Sequence, residues 1–329
     1  MPESMRLPKS ADHRDMKQVH HEMTQALGKG PMRFGAVRRP LNVKDRLVKN
    51  EEVLAAFIEL EVAVAGHGID ESFGADHLYR AALYHNFDIE KSVKLLKRMD
   101  PRHWNISIAQ LETQLETQTL YPLPRKLRSK DKDIDCFFYM KPSRFVPNQT
   151  KTSTIIANLL YVMDSMDHYS DKSGSKKIGF IANMNDWTME HFAVDYCLQF
   201  MESLQGRKGP INVDMFLIVN PPGWFGKVWK IMKPMLSPNF KRKVHMIPEA
   251  KLGDFLAPGY TKYLPQEFAR GEVDAGELVQ DFIRYRTYVE TKVYPSERIP
   301  NKATAELVRP KTSSAKEKRR PSMAVVSVP

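Results

Sequence analysis

Val213-Asp214-Met215-Phe216-Leu217-Ile218-Val219-Asn220-Pro221-Pro222-Gly223-Trp224-Phe225-Gly226-Lys227-Val228-Trp229-Lys230-Ile231-Met232-Lys233-Pro234-Met235-Leu236 is the stretch on which the fold turns. Val213 to Val219 reads as a buried strand. It closes at Asn220-Pro221-Pro222, because proline has no N–H to give to a strand ladder. Gly223 to Leu236 then reads as a helix. At 100° per residue, Trp224, Phe225, Val228, Trp229, Ile231, Met232, Met235 and Leu236 share an arc of roughly 160°, while Lys227, Lys230 and Lys233 occupy roughly the opposite 120°. No Asp or Glu occurs from Met215 to Pro248, and Lys241, Arg242 and Lys243 extend the positive run. A helix with Trp and Phe on one side and only lysines on the other suits the surface of an ordinary core. It also suits a membrane interface.

Outward from this stretch the pattern alternates. Cys136 to Met140 reads as a strand ended by Pro142, Thr152 to Met166 as a helix, and Lys177 to Met184 as a strand. A helix capped by Thr188 runs to Leu204, and a strand follows at Lys243 to Ile247, with a short helix at Glu249 to Phe255. Strands alternating with helices predict an α/β unit built on a mostly parallel sheet. Upstream, Asn50 caps a helix ended by Gly66 and Gly68. A second helix spans Gly74 to His85, and a third follows Asp88 and stops before Pro101. The chain is therefore expected to comprise a basic, mostly disordered tail over 1–48, a helical unit over 49–104, the α/β domain over 105–290, and a second basic, mostly disordered tail over 291–329.

Charge supports that partition. Residues 1–50 carry 11 Lys/Arg against 5 acids, residues 300–329 carry 7 against 2, and the middle is balanced at 32 against 32. Basic tails around a neutral body suit anionic partners: lipid headgroups, nucleic acid or acidic protein. The charges are not interleaved with aromatics, so no nucleic-acid partner is expected. No run of about 18 apolar residues is present, so no membrane-spanning helix is expected. Residues 1–20 contain no apolar signal segment. Cys136 and Cys197, the two cysteines, cannot build a disulfide framework, which fits a reducing, cytoplasmic setting.

Catalytic signatures are lacking. No G-x-x-x-x-G-K-[ST] loop, G-x-G-x-x-G turn or G-x-S-x-G elbow occurs. His21-Glu22-Met23-Thr24-Gln25 opens like a zinc-protease helix, but Gln25 stands where the second His is required. No enzyme activity, metal or cofactor is expected.

Several motifs resemble, in order, those of the CRAL-TRIO lipid-binding family, which includes the phosphatidylinositol/phosphatidylcholine transfer proteins. Asp76 to Leu83 followed by Asn86-Phe87-Asp88-Ile89-Glu90-Lys91-Ser92 is similar to the family's N-terminal helices. Phe180 to Met184 with Trp187-Thr188 is similar to its central strand and turn. Ile218-Val219-Asn220-Pro221-Pro222-Gly223-Trp224-Phe225, Lys233-Pro234-Met235-Leu236 and Lys243-Val244 resemble its "IINAP-F … KPFL … KI" segment. Leu264-Pro265-x-Glu267-Phe268 resembles its closing motif.

The resemblance implies an α/β fold whose sheet floors an apolar pocket, with Gly223 to Leu236 as a hinged gate. Expected lipid-binding residues are Phe138, Met140, Phe180, Phe216 and Ile218 from the strands, Phe225, Val228, Trp229 and Met232 from the gate, and Lys243 for a headgroup. Trp224, Lys227, Lys230 and Lys233 are expected at a membrane surface. Phosphoinositide-binding members carry a Glu ahead of the strand; here that position falls on Ile211, so the lipid's identity stays open. Asn183 stands in for an Asp in the turn.

The expected partners are a lipid ligand, an anionic membrane surface and, through the basic tails, a protein. The chain is expected to be cytoplasmic and peripheral to membranes, and to transfer or present its lipid there. The alternative is a regulatory scaffold that keeps the fold but fills the pocket with its own side chains. Smaller signals are the basic stretch Pro124 to Lys130, Arg144 as a phosphate contact, and the kinase-type motif Arg319-Arg320-Pro321-Ser322.

Overall fold

The computed structural model describes residues 16–34, 50–69, 75–99, 115, 117–124, 126–131, 134, 136–147, 149, 151–152, 155–156, 159, 162, 177–205 and 212–288. Ile211, Ser322, the C-terminal tail and most of the expected 152–166 helix lie outside these residues.

Three helices form a small unit: α2 (Glu51–Gly66), α3 (Ala75–Tyr84) and α4 (Ile89–Met99). Two of the starts are explained locally. The Asn50 side chain accepts the Val53 N–H at 3.2 Å, and Asp88 accepts the Lys91 N–H at 3.0 Å, so each serves a donor that the first turn leaves unpaired. Gly68 takes φ +64° just beyond α2, a conformation that costs glycine little. Phe57, Leu60, Val64, Leu78, Ala82 and Leu96 form a core belonging to this unit.

The main body is a five-stranded sheet in the simple order β1-β2-β3-β4-β5. Its strands are β1 (Leu120–Pro122), β2 (Cys136–Met140), β3 (Lys177–Asn183), β4 (Asn212–Val219) and β5 (Val244–Ile247). β1 runs antiparallel to β2, and the remaining pairs are parallel. All residues of β2 and nearly all of β3 and β4 are buried, as expected of parallel strands covered on both faces. Phe138, Phe180 and Phe216 stand opposite one another in register, and so do Met140, Ala182 and Ile218. Both rows lie on one face, since side chains two apart along a strand share it. α5 (Val194–Leu204) covers this face through Phe200, whose ring meets those of Phe180 and Phe216 at 6.2 Å. α6 (Phe225–Met232) buries Phe225, Val228 and Met232. It passes through a short 3-10 turn, Lys233–Met235, to α7 (Pro238–Lys241).

The structure departs from the sequence expectations in four places. β1 was not anticipated; at three residues it carries no readable alternation. The stretch after Thr188 is not one helix: a 3-10 turn, Met189–His191, precedes extended Phe192 and Ala193, and α5 starts only at Val194. Thr188 and His191 close that turn reciprocally as a capping box.

The third difference lies within the expected disordered tail, where residues 16–34 form α1 (Met16–Leu27) and a 3-10 turn, Pro31–Phe34. Phe34 is fully buried, with its ring 5.3 Å from Phe282 and 5.8 Å from Tyr285. Those two residues belong to α8 (Ala275–Tyr288), the fourth departure, which the sequence reading also missed. Arg33 adds ion pairs to Glu277 at 3.2 Å and Asp281 at 3.6 Å.

Gly179 is required by the sheet itself. A Cβ there would collide with the Phe137 ring opposite it. Gly179→Ala is therefore expected to destabilise the protein by about 1–3 kcal/mol through overpacking, read as a drop of several degrees in a thermal melt.

Candidate functional site

The carboxyl ends of β2, β3 and β4 converge on one cavity, the position at which open α/β sheets present ligand sites. Met140, Ala182, Phe216 and Ile218 form its floor. α5 supplies Tyr196, Cys197, Phe200 and Met201 as a wall, and Phe225 and Met232 of α6 form the roof. Pro142 and Phe145 close one side; Met184, Trp187 and His191 close the edge below the start of α6. No Asp, Glu, Lys or Arg lines it among the described residues. Trp187 is the hub of an aromatic cluster, with Trp224 at 4.6 Å, Phe225 at 5.7 Å and Phe192 at 6.0 Å between ring centroids.

The cavity is small, about 50 Å³. A water occupies about 30 Å³ of liquid, and ligand pockets commonly span about 300–1,000 Å³. The inner end is occupied by the packed rings of Phe138, Phe180, Phe200 and Phe216. Four methionines line what remains: Met140, Met184, Met201 and Met232. Their unbranched thioethers change rotamer cheaply, which makes this a wall that can be reshaped.

The expected site residues are thus gathered in part. Met140, Phe216, Ile218, Phe225 and Met232 line the cavity. Phe138 and Phe180 lie one register step behind it, and Val228 is buried outside the lining. Trp229 is half-buried against Phe225 at 6.3 Å, and Trp224 is half-buried on Trp187. Lys227, Lys230 and Lys233 are exposed. The apolar arc of the α6 segment is itself divided: Phe225, Val228, Met232 and Leu236 are buried, whereas Ile231 is 64% and Met235 48% exposed.

Lys243 does not reach the cavity. Its Nζ pairs with Asp214 at 2.8 Å, at the opposite end of β4 from the cavity floor. Arg144 is also committed elsewhere, donating to Glu267 at 2.6 Å and to the Gln118 side chain at 2.8 Å. Glu267 further accepts from Lys141 at 3.2 Å and from the Tyr139 hydroxyl at 3.1 Å. Tyr139 in turn accepts from Asn183 Nδ2 at 2.8 Å. Arg128 to Lys130 of the basic stretch are pinned by an antiparallel bridge, with Lys130 N–H on the Phe255 carbonyl and Ala257 N–H on that of Arg128.

Sequence reasoning missed Trp187, His191, Tyr196 and Cys197 as lining residues. The irregular turn between Asn183 and Val194 carries no period to place Trp187 and His191, and the face of α5 that turns Tyr196 and Cys197 to the cavity is set by packing against the sheet. It also missed Asn220, whose backbone is left-handed at φ 55°. Its side chain donates to Asn185 Oδ1 at 3.0 Å and accepts the Glu249 N–H at 2.8 Å. Asn220 thereby ties the loop entering α6 to the segments after β3 and β5.

Burial pushes the Cys197 thiol up to about 12, assisted by the nearby Asp195 charge. Reactivity requires thiolate. Cys197 is therefore expected to resist iodoacetamide at pH 8 in the folded protein and to react fully once unfolded, as followed by mass spectrometry of the alkylated peptide.

The CRAL/TRIO domain family matches residues 126–269. No curated protein matches the chain. Among solved structures, the crystal structure of Sfh5 is similar at 13% identity and a TM-score of 0.48, covering 79% of this chain and 96% of that one.

Proposed function

We propose that this chain, whose residues 126–269 match the CRAL/TRIO domain family, binds one lipid beneath α6 and exchanges it at membranes. The observation that carries this reading is a cavity without charged lining, placed at the carboxyl ends of three strands and roofed by an amphipathic helix. A lipid leaving a bilayer forfeits about 0.8 kcal/mol for each CH₂ unless an apolar chamber receives it. The protein must therefore offer that chamber while facing the membrane.

In this reading α6 with the turn to Leu236 is a movable gate. Closed, it seats Phe225, Val228 and Met232 on the sheet. Displaced, the same side chains enter the interface, where exposed Ile231 and Met235 already point outward. Lys227, Lys230 and Lys233 hold it against anionic headgroups. Opening lets the methionines rotate away and enlarges the cavity. Asn220 is the hinge that returns the segment to its place.

A second reading is favoured by the cavity's size, about 50 Å³: a scaffold whose pocket is filled by its own methionines and aromatics, with protein partners recruited elsewhere. Native mass spectrometry of the purified protein separates the two. A stoichiometric lipid adduct supports the carrier; consistently bare protein, with no uptake from vesicles, supports the scaffold.

Two variants test the gate. Lys227→Gln, Lys230→Gln and Lys233→Gln combined should weaken binding to vesicles containing phosphatidylserine by about 3 kcal/mol, at about 1 kcal/mol for each lysine near an anionic surface, with little effect on neutral vesicles. Ile231→Asp lies at an exposed position, so the fold should survive while vesicle-to-vesicle transfer is lost. Undiminished transfer by Ile231→Asp rules out insertion of this helix.

A further inference from the structure

Trp187 lines the cavity, and its indole carries a buried polar group without a partner. The residue is 6% exposed, and its indole Nε1–H meets no hydrogen-bond acceptor among the described residues. Its surroundings explain why: the rings of Trp224, Phe225 and Phe192 pack around it. A buried donor left unpaired costs about 1–3 kcal/mol. A phenylalanine would fill much of the same aromatic cluster without that penalty.

A second N–H lies on the same lining. His191 Nδ1 accepts the Thr188 backbone N–H at 3.1 Å and stands 3.0 Å from the Thr188 hydroxyl. With Nδ1 occupied as an acceptor, the neutral ring carries its proton on Nε2. Trp187 and His191 border the cavity together with Met184 below the start of α6. This edge thus adds two ring nitrogens to a lining whose other oxygen or nitrogen side-chain group is the Tyr196 hydroxyl, and no carboxylate competes for them there.

We propose that the Trp187 indole N–H is a ligand-binding donor, selecting lipids that carry an acceptor oxygen at the end nearest the α6 segment over pure hydrocarbons. The inference rests on the carrier reading above and adds to it the chemistry of the cargo. The shared feature is the acceptor: an ester carbonyl, a phosphate oxygen or a sterol hydroxyl supplies it equally. The apolar remainder of the cavity sets no such requirement, since a contact with carbon discriminates weakly. A polar group left unpaired on binding discriminates strongly.

The test compares the wild-type chain with Trp187→Phe, which keeps an aromatic ring and deletes the donor. Four probes are offered: dioleoyl phosphatidylcholine, its dialkyl ether analogue, cholesterol and squalane. Trp187→Phe should weaken binding of the oxygenated lipid that the wild type takes up by about three- to tenfold and leave squalane unchanged. Loss confined to the diacyl lipid identifies an ester carbonyl; equal loss with the ether analogue identifies phosphate; loss with cholesterol identifies the hydroxyl. In the wild type, the Trp187 indole proton should move downfield in a ¹⁵N-correlated NMR spectrum on loading, and this measurement does not depend on the variant folding. An indole signal that stays in place, or an equal loss for squalane, overturns the donor assignment while leaving the carrier reading intact. Wild-type protein that takes up none of the four probes overturns both.

Discussion

One sheet face carries two demands at once. Phe138, Phe180 and Phe216 in one row, and Met140, Ala182 and Ile218 in the next, are apolar and must be shielded from water. Over the first row α5 supplies Phe200, and the rings lock together. Over the second row, nearer the strand ends, the cover is α6 and the turn that holds Trp187. There the packing is incomplete, and the cavity is what remains. Core and cavity are thus the same surface at different distances from the carboxyl edge. A change that improves packing at the edge shrinks the cavity.

The opposite face and its rim are held differently. Glu267 gathers Arg144, Lys141 and Tyr139, and Tyr139 is fixed in turn by Asn183. These groups are only partly exposed, so their hydrogen bonds gain from the lowered dielectric and leave no lone charge behind. The resemblance between Leu264–Phe268 and a family motif has a structural content here. It anchors the segment after β5 to the end of β2. Asn183, at the position where the resembled turn carries Asp, accepts the Asn185 N–H at 3.0 Å while donating to Tyr139.

The N-terminal segment shows a similar economy. Phe34 fills a slot between Phe282 and Tyr285, and Gly30 approaches Asp281 so closely that a Cβ would strike its carboxylate. Burial raises the Asp281 pKa, while Arg33 and Arg284 act in the opposite sense. The first described residues and the last thus share one patch, and α8 is covered by a stretch far from it in sequence.

Periodicity and punctuation are local, so they were legible from residue order alone. Strands β2 to β5, the caps at Asn50 and Asp88, and the lysine-backed helix from Phe225 all follow from neighbours a few positions apart. Contacts between distant segments were not legible. Lys243 resembled a headgroup ligand until folding brought Asp214 beside it, and the basic pair Arg144 and Lys141 found Glu267 more than a hundred residues away. Breakers such as Gly30 and Pro31 suggested disorder, yet Phe34 is buried because α8 supplies a place for it. The volume of the cavity and the unpaired indole of Trp187 belong to this second class. Both depend on how side chains from β2, β3, β4, α5 and α6 meet in space, and no one-dimensional pattern contains that sum.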